Sequence, residues 1–173
     1  MCGLGFIAGK FEEEIETYLS KISTYQHHRG PDYSDMLIKD TENKKIGFVH
    51  TRLALLDLSP SGNQPMIDEV SNNILIFNGE IYNFRELKNE MISNGEKFKS
   101  SSDSEILLKG YRHFGIEKLL KKIRGMYSFV LWDYSQKIAL IVRDKFGIKP
   151  LYYYSDSNKF ACTSECQALV KCG

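Results

Sequence analysis

Short apolar runs separated by polar turns dominate this chain, with stretches of helical period between them. Residues 2–8 form the first apolar run and predict a strand. Phe11, Ile15, Leu19 and Ile22 then recur at helical spacing, which predicts an amphipathic helix over 12–26. The loop HHRGPD ends it, because Gly30-Pro31 breaks a helix. DMLIKD and KIGFVHTRL read as a pair of strands, and LSPSGNQP as a loop. NNILIFNGEIY reads as a strand running into a polar end. Asn83 with Glu86 has capping-box spacing and predicts a helix to about residue 93; Ser102 with Glu105 predicts another, carrying Ile106, Leu107, Tyr111 and Phe114 on one side. A short helix is expected near 116–123. MYSFVLWDY with KIALIVRD predicts one hairpin, and LYYYS with KFACTS a second, turning at Asp156-Ser157-Asn158. A last helix is expected over 165–171. Strands in runs with helices grouped between them favour an α+β fold with mostly antiparallel sheet. If two sheets face each other, the helices must cover their outer faces.

Composition narrows the function classes. The 173 residues fit one domain and bury about 70% of the unfolded surface, so the core needs no disulfide or metal. A net charge of +1 gives no electrostatic reason to expect nucleic acid or an anionic membrane as partner. No apolar stretch approaches the ~18 residues of a membrane span, and Glu12, Glu13 and Glu14 interrupt any signal-peptide pattern. A cytoplasmic protein is expected. Its four cysteines, Cys2, Cys162, Cys166 and Cys172, are expected as free thiols. The last three lack metal-site spacing and a neighbouring histidine, so no metal is expected; they read as small buried hydrophobes near the final helix.

Four polar knots interrupt the apolar runs: MCG, HTRL, FNGEIYN and SSDSE. If Met1 is removed, Cys2 carries both a thiol and an α-amine able to act as its base. Alternatively, Cys2 is a small buried residue on the first strand. Asn78 and Gly79 can supply a side-chain and a backbone donor to an oxyanion; they can equally form an Asn-Gly turn. Arg52 presents a fork that fits a carboxylate, or a surface salt bridge. Asp103 and Glu80 can hold an ammonium, or Asp103 can simply favour a helix dipole. Taken together the set could grip an α-amino acid by both backbone charges while a nucleophile attacks its side-chain amide.

In this order MCGLGFIAG, HHRGPD, HTRLALLDLSPSGNQPM, FNGEIYN, SSDSE, RGMYSFVLWD, RDKFGIKPLYYY and TSECQALV resemble the N-terminal glutaminase domain of glutamine-hydrolysing asparagine synthetases, a class II glutamine amidotransferase. The resemblance runs over essentially the whole chain, making residues 1–173 one glutaminase domain. It implies an αββα four-layer sandwich of the N-terminal nucleophile hydrolase type. It also implies roles: Cys2 as nucleophile; Asn78 and Gly79 as oxyanion hole; Arg52 for the glutamine α-carboxylate; Glu80 and Asp103 for its ammonium; and Leu53, Leu55 and Leu56 as pocket lining. Arg143 and Asp144 are expected as a supporting buried ion pair. The implied reaction is hydrolysis of L-glutamine through a Cys2 thioester, delivering ammonia to a synthetase domain in cis or trans. No cofactor is expected in this domain. ATP and magnesium belong to the synthetase domain, whose Ser-Gly-Gly-Leu-Asp-Ser type loop does not occur here. The ammonia acceptor stays open, as does a homodimer. A catalytically silent glutamine-binding partner of a separate synthetase is the alternative.

Overall fold

The computed structural model describes residues 1–11, 14–42 and 44–172. Alternation of side chains across each strand decides which layer a residue joins. β1 (Gly3–Gly9) turns Leu4 and Phe6 to one face and Ile7 to the other. It lies at the centre of a five-stranded antiparallel sheet with β2 (Tyr33–Asp40), β3 (Lys45–Arg52), β8 (Tyr152–Ser155) and β9 (Lys159–Thr163), in the order β2-β3-β1-β9-β8. The second sheet has the order β4-β5-β6-β7, from β4 (Met66–Ile67), β5 (Ile74–Ile81), β6 (Gly125–Asp133) and β7 (Ile138–Arg143), again antiparallel.

Three apolar layers hold the sheets and helices together. Leu4, Phe6, Phe48, Ile74, Ile76, Val130 and Cys162 fill the space between the two sheets. Outside the first sheet, Leu19 and Ile22 of α1 (Ile15–Gln26) and Ala168 of α5 (Cys166–Cys172) pack on Ile7 and Val49. Outside the second, α2 (Phe84–Ser93), α3 (Ser104–Phe114) and α4 (Ile116–Lys122) bring Leu87, Met91, Leu107 and Leu119 onto Leu75, Phe77 and Phe129. The layer order is therefore αββα. A one-residue slip of β1 would turn Leu4 and Phe6 out of the inter-sheet core, so its register is strongly specified.

The expected elements are present, with shifted ends. α1 begins at Ile15 among the described residues; Glu12 and Glu13, where its expected start falls, lie outside them. The two-residue β4 was not foreseen, and a short 3-10 turn, Pro60–Gly62, sits in the expected loop. Neither capping box forms. Asn83 precedes α2, but its amide donates to Lys122 O (2.9 Å) and its oxygen accepts from Arg124 N–H (2.8 Å), tying α2 to the α4–β6 connection. Ahead of α3 the cap position is Asp103, and the Glu105 carboxylate turns back to the N–H groups of Lys99 and Ser100. Cys162 and Cys172 are buried as expected; Cys166 is exposed.

Candidate active site

A cavity of about 200 Å³ opens at the end of the sandwich where β1 begins. Its wall includes Cys2, Arg52, Leu53, Leu55, Leu56, Asn78, Gly79, Glu80 and Asp103, so every residue singled out for chemistry from the sequence faces one space. Met1, Gln64, Met126 and Lys149 share that wall.

Cys2 stands just ahead of β1. The Leu53 N–H donates to its Sγ at 3.4 Å, and the thiol lies 3.7 Å from Leu53 O. Burial pushes the thiol pKa up, against the opposing pull of the Leu53 amide, the chain's terminal charge and Arg52; Asp103 adds to the rise. At neutral pH the sulfur is thus held as a protonated thiol. Arg29 fixes the backbone beside it: Nε donates to Cys2 O at 2.9 Å, while Nη1 bonds Glu165 Oε1 at 2.6 Å. Met1 is 56% exposed, and its carbonyl ties up the nitrogen of Cys2 in a peptide bond.

Arg52 ends β3 and is held by the loop that follows. Nη1 donates to Ser59 O (2.9 Å) and Asn63 Oδ1 (2.6 Å), and Nη2 to Asp57 O. A guanidinium has five N–H donors; these bonds leave Nε and one hydrogen of Nη2, a fork suited to a carboxylate. A Cβ on Gly62 would collide with that guanidinium, so the loop needs glycine there. Asp57 ties this loop to the next one: its Oδ1 accepts from Ser59 N–H and its Oδ2 from Ser101 N–H, both at 2.8 Å. The Ser59 side chain, ahead of the Ser101 and Ser59 amides, leads the interactions that hold its carboxyl down to about 2.

β5 supplies the facing wall. β4 pairs only with Ile74 and Leu75, so further along β5 that edge has no strand neighbour among the described residues. Side chains take the strand's place. Gln64 Oε1 accepts the Phe77 N–H at 2.6 Å, and Asp103 Oδ2 accepts the Ile81 N–H at 2.8 Å. Residues two apart on a strand point their N–H groups the same way. The Gly79 amide therefore faces the same open edge, between those two acceptors. Its partner across the ladder agrees: Tyr127 sends its C=O to Asp144 N and its N–H to Asp144 Oδ2, away from Gly79. A side chain at 79 would meet the backbone of Met126 and Tyr127. One residue earlier, Asn78 is 1% exposed and its Nδ2 has no hydrogen-bond partner among the described residues. An unsatisfied buried amide is the exception in folded proteins, and this one belongs to a residue lining the cavity.

Asp103 closes the ring. Burial pushes its carboxyl up to about 6, with neighbouring Glu80 adding to the rise and the Ile81 amide opposing it.

Gln64, Arg29 and Lys149 were not singled out from the sequence. Gln64 carries no local signal, since its partners are Phe77 and, through Nε2 at 3.0 Å, Ser104 Oγ. Arg143 and Asp144 support the site in a way that differs from the expected ion pair. Arg143 donates to Lys149 O (2.8 Å) and Gly147 O (2.7 Å), and Asp144 accepts from the N–H groups of Phe146, Ile148 and Lys149. Both charges organise the backbone of the 145–149 loop, which places Lys149 on the cavity wall.

The whole chain, residues 1–173, matches the model of a glutamine amidotransferase domain. It is 36% identical over 174 residues to asparagine synthetase [glutamine-hydrolyzing] 1 of Bacillus subtilis, covering 98% of this chain and 27% of that protein. It is 38% identical over 161 residues to amidase chry2 of Gibberella zeae, covering 93% of this chain and 23% of the relative. The chain thus spans about a quarter of the length of these relatives. Among solved structures, the glutamine phosphoribosylpyrophosphate amidotransferase of B. subtilis superimposes with a TM-score of 0.78 at 21% identity, over 99% of this chain and 44% of that one. That likeness carries the fold, the αββα sandwich described above. With its full length matched by the family model and its sequence shared with glutamine-hydrolysing enzymes, this chain belongs to the glutamine amidotransferase domain family.

Proposed function

We propose that this domain, once Met1 is removed, hydrolyses L-glutamine to L-glutamate and ammonia with Cys2 as nucleophile. The observation that carries the reading is the cavity itself. A thiol, a buried amide donor without a partner among the described residues, a guanidinium with a spare fork and a carboxyl that burial holds high share one wall of residues. An amino-acid zwitterion with a side-chain amide answers each of them. Arg52 takes the α-carboxylate, Asp103 and Glu80 the ammonium, and Leu53, Leu55 and Leu56 line the path of the side chain.

The chemistry then follows in balanced steps. The freed α-amine of Cys2, with an ordinary pKa of about 7.7–8.0, accepts the thiol proton. Sulfur attacks the amide carbon, and Asn78 Nδ2 with the Gly79 N–H receives the oxyanion. The protonated amine gives its proton to the departing nitrogen, the C–N bond breaks, and ammonia leaves a γ-glutamyl thioester. Water attacks the thioester, restoring the thiol and releasing glutamate. Ammonia would pass to a synthetase domain in cis or trans, which would hold the ATP and magnesium for activating the acceptor. Aspartate is the acceptor the asparagine synthetase relative suggests, whereas the amidase relative leaves room for another carboxylate.

Intact mass of the purified protein, before and after 6-diazo-5-oxo-norleucine, tests the reading together with glutamate release. Loss of Met1, a single adduct and steady glutamate production are expected. Full activity in a form that retains Met1 would exclude the amine as base, and activity in Cys2→Ala would exclude the nucleophile.

A further inference from the structure

β3 carries two functional side chains on one face. His50 and Arg52 lie two residues apart, one strand repeat of about 6.6–6.8 Å. Arg52 reaches the cavity; His50 is 0% exposed and reaches the other sheet. Its Nε2 is 3.0 Å from Phe77 O. A carbonyl can only accept, so Nε2 bears the proton and Nδ1 is a bare acceptor. Burial holds the ring well below its ordinary pKa, at about 4, consistent with a neutral imidazole. Nδ1 has no partner among the described residues.

That arrangement is a poor way to fill a core. A buried acceptor without a partner is destabilising, and phenylalanine or leucine would carry no such penalty. What histidine adds is one bond to one carbonyl, and that carbonyl belongs to the peptide whose N–H is that of Asn78. Phe77 sits where β5 has lost its strand neighbour, with its N–H taken by Gln64 and its C=O taken by His50. The first sheet is thereby bolted to the second immediately before the two oxyanion donors.

Resting on the glutaminase reading, we propose that His50 is a positioning residue: its bond to Phe77 sets the spacing between the carboxylate holder on β3 and the oxyanion donors on β5. That spacing determines which side-chain length is hydrolysed. Glutamine places its amide carbon at the thiol; asparagine, one methylene shorter, falls short of it. Without the bolt β5 can move relative to Arg52, and the discrimination blurs.

The test uses the processed chain, with kcat and KM for glutamine and asparagine in wild type, His50→Phe and His50→Gln. Rates are taken per sulfur titrated by 6-diazo-5-oxo-norleucine, so unfolded protein does not count. Misplacement by about 1 Å costs ~10²-fold, so His50→Phe should lose kcat for glutamine on that order. KM should stay within about twofold, because Arg52 and Asp103 are untouched. The glutamine-to-asparagine ratio of kcat/KM should fall by ~10-fold or more. His50→Gln, whose Nε2 can reach the same carbonyl, should recover most of both. An unchanged ratio in His50→Phe, or a rise in KM alone, overturns the proposal. Wild-type protein that releases no glutamate sinks the glutaminase reading first. The bolt is then judged by amide hydrogen exchange at Asn78 and Gly79, expected to quicken in His50→Phe and not in His50→Gln; equal exchange overturns it.

Discussion

β5 has two sides built under different rules. Toward α2 and α3 it offers Leu75, Phe77 and Ile81, which vanish into a layer with Met91, Leu107 and Leu119. Toward Cys2 it offers Asn78 and the Gly79 amide. Among the described residues, the buried side-chain polar atoms without a partner are Gln26 Nε2, Arg29 Nη2, His50 Nδ1 and Asn78 Nδ2. All belong to residues packed around the start of β1 or the exposed edge of β5: Gln26 against Gly3, Arg29 on Cys2 O, His50 on Phe77 O. One side of the strand supplies stability through apolar area alone; the other, past Ile74 and Ile76 of the inter-sheet layer, also keeps hydrogen-bond capacity in reserve. The lesson is that unsatisfied groups here are localised, which is the pattern expected where a ligand completes the structure.

Substitutions on each side should therefore separate activity from stability. The largest effect is expected from Cys2→Ala, which should lower glutamate release by on the order of 10⁴–10⁶-fold with an unchanged melting temperature; calorimetry beside a glutamate assay checks both. Leu107→Ala should do the reverse. Removing a fully buried leucine should cost about 2–5 kcal/mol in urea unfolding, while turnover per titrated thiol stays as in wild type. A comparable fall in turnover would break the division between the two sides. Asn78→Ala should lose ~10²–10³-fold in kcat, about 2.7–4 kcal/mol of barrier. It should destabilise little, because the Nδ2 it removes has no hydrogen-bond partner to lose among the described residues.

The smallest and most diagnostic effect concerns Asp103. Its folded pKa of about 6 lies above its ordinary 3.8, so the folded chain holds that proton more tightly than the unfolded chain. The stability this confers is full below about pH 4 and is lost as pH rises through 6. Asp103→Asn should thus gain ~1–3 kcal/mol at pH 7, a gain that shrinks toward pH 4. In the same window glutamine binding should run the other way. The ligand ammonium favours the carboxylate, so KM should rise as pH falls below 6 in wild type. Asp103→Asn should bind weakly at every pH, with that dependence gone.

Local patterns made the elements readable and left their partners hidden. Leu4, Phe6 and Ile7 announce a strand with two buried faces, and Leu19 with Ile22 a helix stripe. Nothing in such spacing says that β1 lies between β3 and β9, because the pairing joins residues far apart in the chain. The capping boxes failed for the same reason. Asn83 and Glu105 had stronger partners than their own helix ends: the segment entering β6 for the first, the Lys99–Ser100 backbone for the second. At the site, the polar knots and the family resemblance pointed to the residues that line the cavity. Their supports were not legible. Gln64 works through Phe77 and Ser104, and Arg29 through Cys2 and Glu165, which only the folded topology brings together.

The exposed methionine at residue 1 has a practical consequence. On the proposed mechanism, any affinity tag or fusion partner attached ahead of it leaves the Cys2 nitrogen acylated, and such a protein is expected to fold normally yet score as dead in a glutaminase screen. Overexpression that outruns the host's aminopeptidase would yield a blend of silent and working molecules. Specific activity would then vary from batch to batch with trimming rather than with purity, and a tag belongs at the other end of the chain.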